Sequence, residues 1–330
     1  MADAPVLEVD DLTVVLRTRG REATILDAVS LAVTPGETVA LVGESGAGKT
    51  VLALAVMGLL PGGMRVTGGR IGLAGTDLVG ASASVLRTTR GGEMAMIFQD
   101  PQSSLHPAFR VGAQVAEAVR AHQPGVSKAD ATTRAVDLLR RVGIPQPDAR
   151  ARDYPHQMSG GMRQRVMIAM AMANRPRLLI ADEATTALDV TVQAQVLEVL
   201  KAAQRETGAA MLVVTHDLGV VANVADRVVV MYAGRIAEAG PVDTVLTEPA
   251  HPYTRGLLAA VPRLDDAAPV QAIPGQPPSP FARPSGCAFR TRCPRADDAC
   301  ATTVPALVPV SGAVDGPAHT VACHHAEVVA

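Results

Sequence analysis

Gly43-Glu44-Ser45-Gly46-Ala47-Gly48-Lys49-Thr50 fits the pattern G-x-x-x-x-G-K-[ST]. Its glycines let the backbone curl until successive N–H groups face inward and cradle phosphate oxygens. Lys49 is one of only three lysines, with Lys128 and Lys201, in a chain of 30 basic residues. It supplies a point charge to the β- and γ-phosphates of a nucleotide, and the Thr50 hydroxyl suits Mg²⁺. The flanks agree with this reading. Thr38–Val42 reads as a short apolar strand running into the loop. Val51–Leu60 reads as a buried helix whose positive dipole end faces the phosphates, and Pro61-Gly62-Gly63 stops it.

The metal needs a second acidic element. Leu178-Leu179-Ile180-Ala181-Asp182-Glu183 is an apolar strand that ends in two carboxylates. Asp182 is placed to bind Mg²⁺, directly or through water, and Glu183 to polarise the attacking water. Elsewhere, Leu7–Leu16 and Ile25–Val33 alternate as half-buried strands around the turn Arg19-Gly20-Arg21. Val111–Ala121, Lys128–Val142 and Met162–Ala173 carry helical signals, as does Val192–Arg205. Met211–Thr215 is a strand, and Val228–Tyr232 with Arg235–Glu238 a hairpin around Ala233-Gly234. Apolar strands alternating with helices predict an α/β fold with a parallel sheet.

Composition excludes several classes. Of 330 residues, 48% are hydrophobic and 19% charged, a globular balance. A net charge of −2 exerts no global pull on nucleic acid or anionic lipid. No apolar run approaches the roughly 18–20 residues of a membrane-crossing helix. The N-terminus lacks a secretory pattern, so a reducing cytosolic setting is expected. From Pro262 onward the chain holds 11 of its 24 prolines and all four cysteines. Regular secondary structure is not expected to dominate there.

Further motifs go beyond a generic phosphate loop. Met158-Ser159-Gly160-Gly161-Met162-Arg163-Gln164-Arg165 resembles the signature sequence of ABC transporter ATPases. Gln99 in Phe98-Gln99-Asp100-Pro101 resembles their Q-loop. Thr186-Ala187-Leu188-Asp189 resembles the D-loop, and His216 in Thr215-His216-Asp217 the switch histidine. The resemblance covers residues 7 to about 245. It implies an α/β P-loop NTPase of ABC type with an antiparallel β subdomain and a helical subdomain at about 100–175, the whole cassette spanning 1–250. It also implies that residues Gly43 to Val51 hold ATP and that Gln99 touches Mg²⁺ or the attacking water. His216 would contact the γ-phosphate. Ser159, Gly160, Gly161 and Asp189 would face ATP held by an opposite subunit, so that two chains share two sites. Leu16 takes the place of the family's adenine-stacking aromatic, with Ile25 on the ring's other side.

The tail narrows the resemblance. His251-Pro252-Tyr253-Thr254-Arg255-Gly256-Leu257-Leu258, Pro284-Ser285-Gly286-Cys287, Cys293-Pro294, Cys300 and Val321-Ala322-Cys323-His324 are similar to the C-terminal extension of oligopeptide, dipeptide and nickel importer ATPases. The resemblance implies an extension over 251–330 and the first of two ATPase subunits in a peptide importer, paired with a different ATPase chain. Partners would be two transmembrane permeases and an extracytoplasmic solute-binding protein, with this chain peripheral on the cytoplasmic face of the inner membrane and no nucleic acid bound. Nickel or another small solute stays open as cargo. The competing class is a soluble ABC ATPase acting on nucleic acid or ribosomes. Such proteins usually carry two ATPase units, or a long coiled coil with basic surfaces. The cysteines at 287, 293, 300 and 323 lack the C-x2–4-C knuckles of structural zinc sites. Four thiolates on an irregular loop, and the likeness to the importers, lead us to expect a [4Fe–4S] cluster, with Zn²⁺ as the alternative.

Overall fold

A computed structural model describes residues 4–100, 104–185, 188–261, 272–310 and 318–326. Pro101 of the Q-loop and Thr186 and Ala187 of the D-loop lie outside them. The chain divides into two bodies. One comprises the described residues within 1–7, 33–37 and 74–213, the other those within 8–32, 38–73 and 214–330.

In the first body, strand Met94–Ile97 pairs in parallel with Leu178–Asp182, from Met94 opposite Leu178 to Ile97 opposite Ala181. Ala210–Val214 lies on the other side of Leu178–Asp182. The strands Leu178–Asp182 and Ala210–Val214 are buried along their whole length, the near-continuous apolar pattern of a sheet covered on both faces. Helices Val111–His122 and Lys128–Arg141 pack together and against Gly160–Ala171. Val111, Val115 and Val119 bury one stripe, and Ala131, Ala135 and Leu139 the facing one, each repeating every fourth residue as a helical face requires. The Ser127 hydroxyl caps Lys128–Arg141 by accepting the Asp130 N–H at 3.1 Å.

In the second body, Leu7–Thr18 and Arg21–Val33 join at Arg19-Gly20, both with positive φ, the two-residue turn that matches strand twist. Met64–Leu73 lies on the other side of Leu7–Thr18. Thr38–Val42 pairs in parallel with Arg227–Tyr232. That strand turns at Ala233-Gly234 into the antiparallel Arg235–Pro241. The tail then adds two short strands: Thr320–Val321 pairs with Glu238–Ala239, and Val308–Pro309 with Thr320–Val321. The proline-rich segment thus contributes to the sheet as well as forming the helices Pro252–Ala259 and Asp298–Thr302.

One boundary differs from expectation. The helix after the phosphate loop runs over Lys49–Val56, not Val51–Leu60. It begins as soon as the loop's last glycine has turned, and Gly58, at φ 63°, breaks it before the proline does. The core of this body gathers Ala40, Val42, Val228 and Val230 around Tyr232, Tyr253 and Phe289. Of three tyrosines and four phenylalanines in the chain, three meet here. The Tyr232 and Tyr253 rings lie 4.6 Å apart, and Phe289 meets Tyr232 edge-on at 5.2 Å.

Candidate nucleotide site

The phosphate loop leaves the buried strand Thr38–Val42 and enters its helix at Lys49. Gly43, at φ 148°, packs so tightly that a Cβ would overlap the Met231 carbonyl oxygen. The helix has no side-chain cap at Gly48, and its positive dipole end lies at the loop. Lys49 is only 6% exposed, and its Nζ donates to the carbonyls of Gly43 at 2.7 Å and Glu44 at 3.1 Å. A buried ammonium folded over a concave glycine loop is the donor set a polyphosphate needs, so these residues fit the nucleotide. Ser45, Gly46 and Thr50 face solvent, Ala47 is buried and Val51 half-buried. Leu16 and Ile25 are half-buried on the two strands of the hairpin.

Glu44 is held from behind. Its N–H donates to the Tyr253 hydroxyl at 2.7 Å. Its carboxylate accepts both Arg292 nitrogens, Nη1 at 2.6 Å and Nη2 at 2.9 Å. These bonds to Glu44 hold the Arg292 guanidinium well above its usual range, and burial pushes the Tyr253 hydroxyl up. Neither partner was predicted to act at the loop. Tyr253 belongs to a quoted motif, but Arg292 had no sequence signal at all.

The first body carries Gln99, Asp182, Glu183, Ser159, Gly160, Gly161 and Asp189. Asp182 is buried at the end of its strand, and Glu183 follows in the left-handed region at φ 46°. Such strain in a non-glycine residue clusters at functional sites. Gln99, exposed after strand Met94–Ile97, donates from Nε2 to Glu183 Oε2 at 2.8 Å. The structure therefore brings Gln99 and Glu183 together. Ser159 caps helix Gly160–Ala171 by accepting the Met162 N–H at 3.3 Å. The helix starts two residues earlier than Met162, so Ser159 and Gly160 stand exposed at its tip while Gly161 is buried. A Cβ on Gly161 would overlap Val192, which explains a glycine there. Asp189 caps Val190–Thr207, accepting the Val192 N–H at 2.9 Å. In the second body, His216 is exposed in the turn before Leu218–Val224.

The iron–sulfur expectation is corrected. Among the described residues, the group whose ligand atoms come within 4.8 Å of one another is Asp297, Cys300 and His325, not Cys287, Cys293, Cys300 and Cys323. Local bonding sets this. Asp297 caps helix Asp298–Thr302 through the Cys300 N–H at 3.0 Å and so stands beside that thiol, while His325 Nε2 lies 3.7 Å from Cys300 Sγ. The sulfurs of Cys293 and Cys323 accept the N–H groups of Arg295 and His325, each at 3.4 Å. Burial pushes the thiols of Cys287, Cys293 and Cys300 up.

A phosphate loop at a strand–helix junction, a strand ending in Asp-Glu, a glutamine on that glutamate and a serine-capped Ser-Gly-Gly helix define a P-loop nucleotide-binding protein of the ATP-binding-cassette class. Comparison with known proteins agrees. Residues 26–186 match the model of the ABC transporter family, and residues 237–300 that of the oligopeptide/dipeptide transporter C-terminal region. The oligopeptide transport ATP-binding protein OppD of Mycobacterium tuberculosis is 52% identical over 99% of this chain and 53% of its own length. A peptide import ATP-binding protein of Brucella melitensis is 48% identical over 94% of this chain and 96% of its own. This chain thus spans about half the length of the mycobacterial relative and nearly all of the Brucella one. The solved dimeric ATP-binding cassette MJ0796, bound to ADP and Pi, superposes with a TM-score of 0.65 at 26% identity, covering 72% of this chain and 98% of that one. The chain belongs to the ABC transporter ATP-binding family, in the branch with the oligopeptide/dipeptide transporter C-terminal region. No helix among the described residues is long and apolar enough to cross a membrane.

Proposed function

We propose that the chain is the ATP-hydrolysing, energy-coupling subunit of an importer for di- or oligopeptides. The single observation that carries this is one chain holding both the phosphate loop and the region matched at 237–300. Lys49 and the amides of residues 43–51 hold the phosphates of ATP. Thr50 and Asp182, with Gln99, are the residues that would hold Mg²⁺, which when bound neutralises charge on the β- and γ-oxygens. Glu183 takes the proton of the attacking water and Gln99 orients its carboxylate. His216 contacts the γ-phosphate. Ser159, Gly160, Gly161 and Asp189 face the nucleotide of a second, different ATPase chain, and Leu16 and Ile25 pack on adenine. The ATPase cassette occupies 1–250 and the extension 251–330. The assembly adds two permeases and a solute-binding protein, with this chain on the cytoplasmic face of the membrane.

The test uses purified protein and intact cells. Glu183→Gln is expected to keep ATP bound while turnover falls by about 100-fold or more. Unaltered hydrolysis would assign the chemistry to another base. Cells lacking the chain should lose uptake of labelled di- and oligopeptides, and undiminished uptake would refute the cargo assignment.

A further inference from the structure

The His-Pro-Tyr motif and Arg292 lie far along the chain from the phosphate loop, yet both end on one of its residues. We propose that Arg292 and Tyr253 are positioning residues for nucleotide binding: they brace Glu44 and cancel its charge, so that the loop can accept polyphosphate. This rests on the ATP-binding reading above.

Glu44 is an awkward residue for an anion-binding loop, because its carboxylate repels phosphate. The structure answers this by pairing it. The Arg292 side chain is 3% exposed and meets the carboxylate in a two-pronged fork. The rest of the guanidinium is used too. Nε donates to the Pro274 carbonyl at 2.8 Å, Nη2 to Ile273 O at 3.4 Å and Nη1 to the Tyr232 hydroxyl at 3.4 Å. Its carbon centre also lies 5.8 Å from the Tyr232 ring centroid. A fork held on every side has little freedom to follow Glu44, so Glu44 must follow it.

The second point of the brace is the backbone. Tyr253 takes the Glu44 N–H, and the Glu44 carbonyl in turn accepts from Lys49 Nζ. Fixing Glu44 therefore fixes one of the two carbonyls that position the phosphate-binding lysine. Tyr253 is itself anchored. His251 Nδ1 accepts the Tyr253 N–H at 2.9 Å, and the His251 N–H donates to buried Glu238 at 3.0 Å. Glu238 also accepts the Ala250 N–H at 2.7 Å and lies 2.7 Å from His319 Nε2. The motif is thereby a mount that delivers one hydroxyl to the loop.

The fork between Arg292 and Glu44 sets the sign of a double-mutant test. Binding of a fluorescent ATP analogue to the full-length chain is measured for wild type, Arg292→Ala, Glu44→Gln and the double variant, with melting temperatures alongside. Arg292→Ala exposes the Glu44 charge and is expected to weaken binding about tenfold. In the Glu44→Gln background the same change should cost no more than about twofold, because no carboxylate is left for the fork to hold in place. Equal losses in both backgrounds would overturn the proposal. Tyr253→Phe keeps the ring and removes the hydroxyl; it should raise KM for ATP severalfold at nearly constant kcat and melting temperature. Should Arg292→Ala fail to fold, Arg292→Lys replaces it: a charge without the fork should give intermediate affinity, and unchanged affinity would count against the brace. If wild type itself binds no nucleotide, the ATP-binding reading fails and not the brace alone.

Discussion

At the residue scale, what matters is how single atoms are held. Gly43 has both a φ of 148° and a carbonyl where its Cβ would be. Gly43→Ala is therefore expected to abolish nucleotide binding and to lower stability by about 1–3 kcal/mol, measured by calorimetry and denaturant melts. Gln99 is bonded to the strained Glu183 at 2.8 Å. Gln99→Ala should lower kcat by roughly tenfold to a hundredfold while leaving ATP affinity near wild type, because it removes one hold on the carboxylate without touching the phosphate loop. Equal losses in kcat and affinity would place Gln99 in ground-state binding instead. Most of these residues were legible in the sequence because their motifs are short. A glycine loop or a strand ending in two acids needs only local spacing. The Gln99–Glu183 bond was not legible, since it joins two separate segments.

At the element scale, caps and turns decide where the functional tips stand. Ser159 and Asp189 each cap a helix in the first body. Ser159→Ala should cost about 1 kcal/mol of stability, read from chemical denaturation, in addition to any effect on turnover. His251 caps Pro252–Ala259 as a neutral imidazole, because burial lowers it from 6.5 to about 4. The folded state thus takes up the proton later than the unfolded state does. Stability rises with pH between about 4 and 6.5, is complete above that window, and falls by about 3 kcal/mol on acidification through it. His251→Asn keeps a capping acceptor but does not titrate, so its melting temperature should fall less between those pH values. Parallel curves for the two proteins would refute this. The hairpins at Arg19-Gly20 and Ala233-Gly234 fell where the turn residues placed them. The helix after the phosphate loop did not, because Gly58, not Pro61, ends it.

At the scale of the whole molecule, the tail is part of the core around the phosphate loop. Phe289 is 3% exposed against Tyr232 and Tyr253. Phe289→Ala should cost about 3–5 kcal/mol, or on the order of 10 °C in melting temperature. A loss below about 1 kcal/mol would mean that the extension packs independently of the loop. The four-cysteine site shows how far spacing can mislead. Number and clustering of thiols predicted a cluster, whereas among the described residues the group whose ligand atoms converge is Asp297, Cys300 and His325. The sequence by itself determined the chemistry of the loop, the strand–helix alternation and the family, because each depends on residues within a few positions of one another. Only the tertiary structure decided that Glu44 meets Tyr253 and Arg292, 209 and 248 positions away. Contacts of that separation arise when sheet pairing and a shared apolar core bring distant segments together, and no local pattern encodes them.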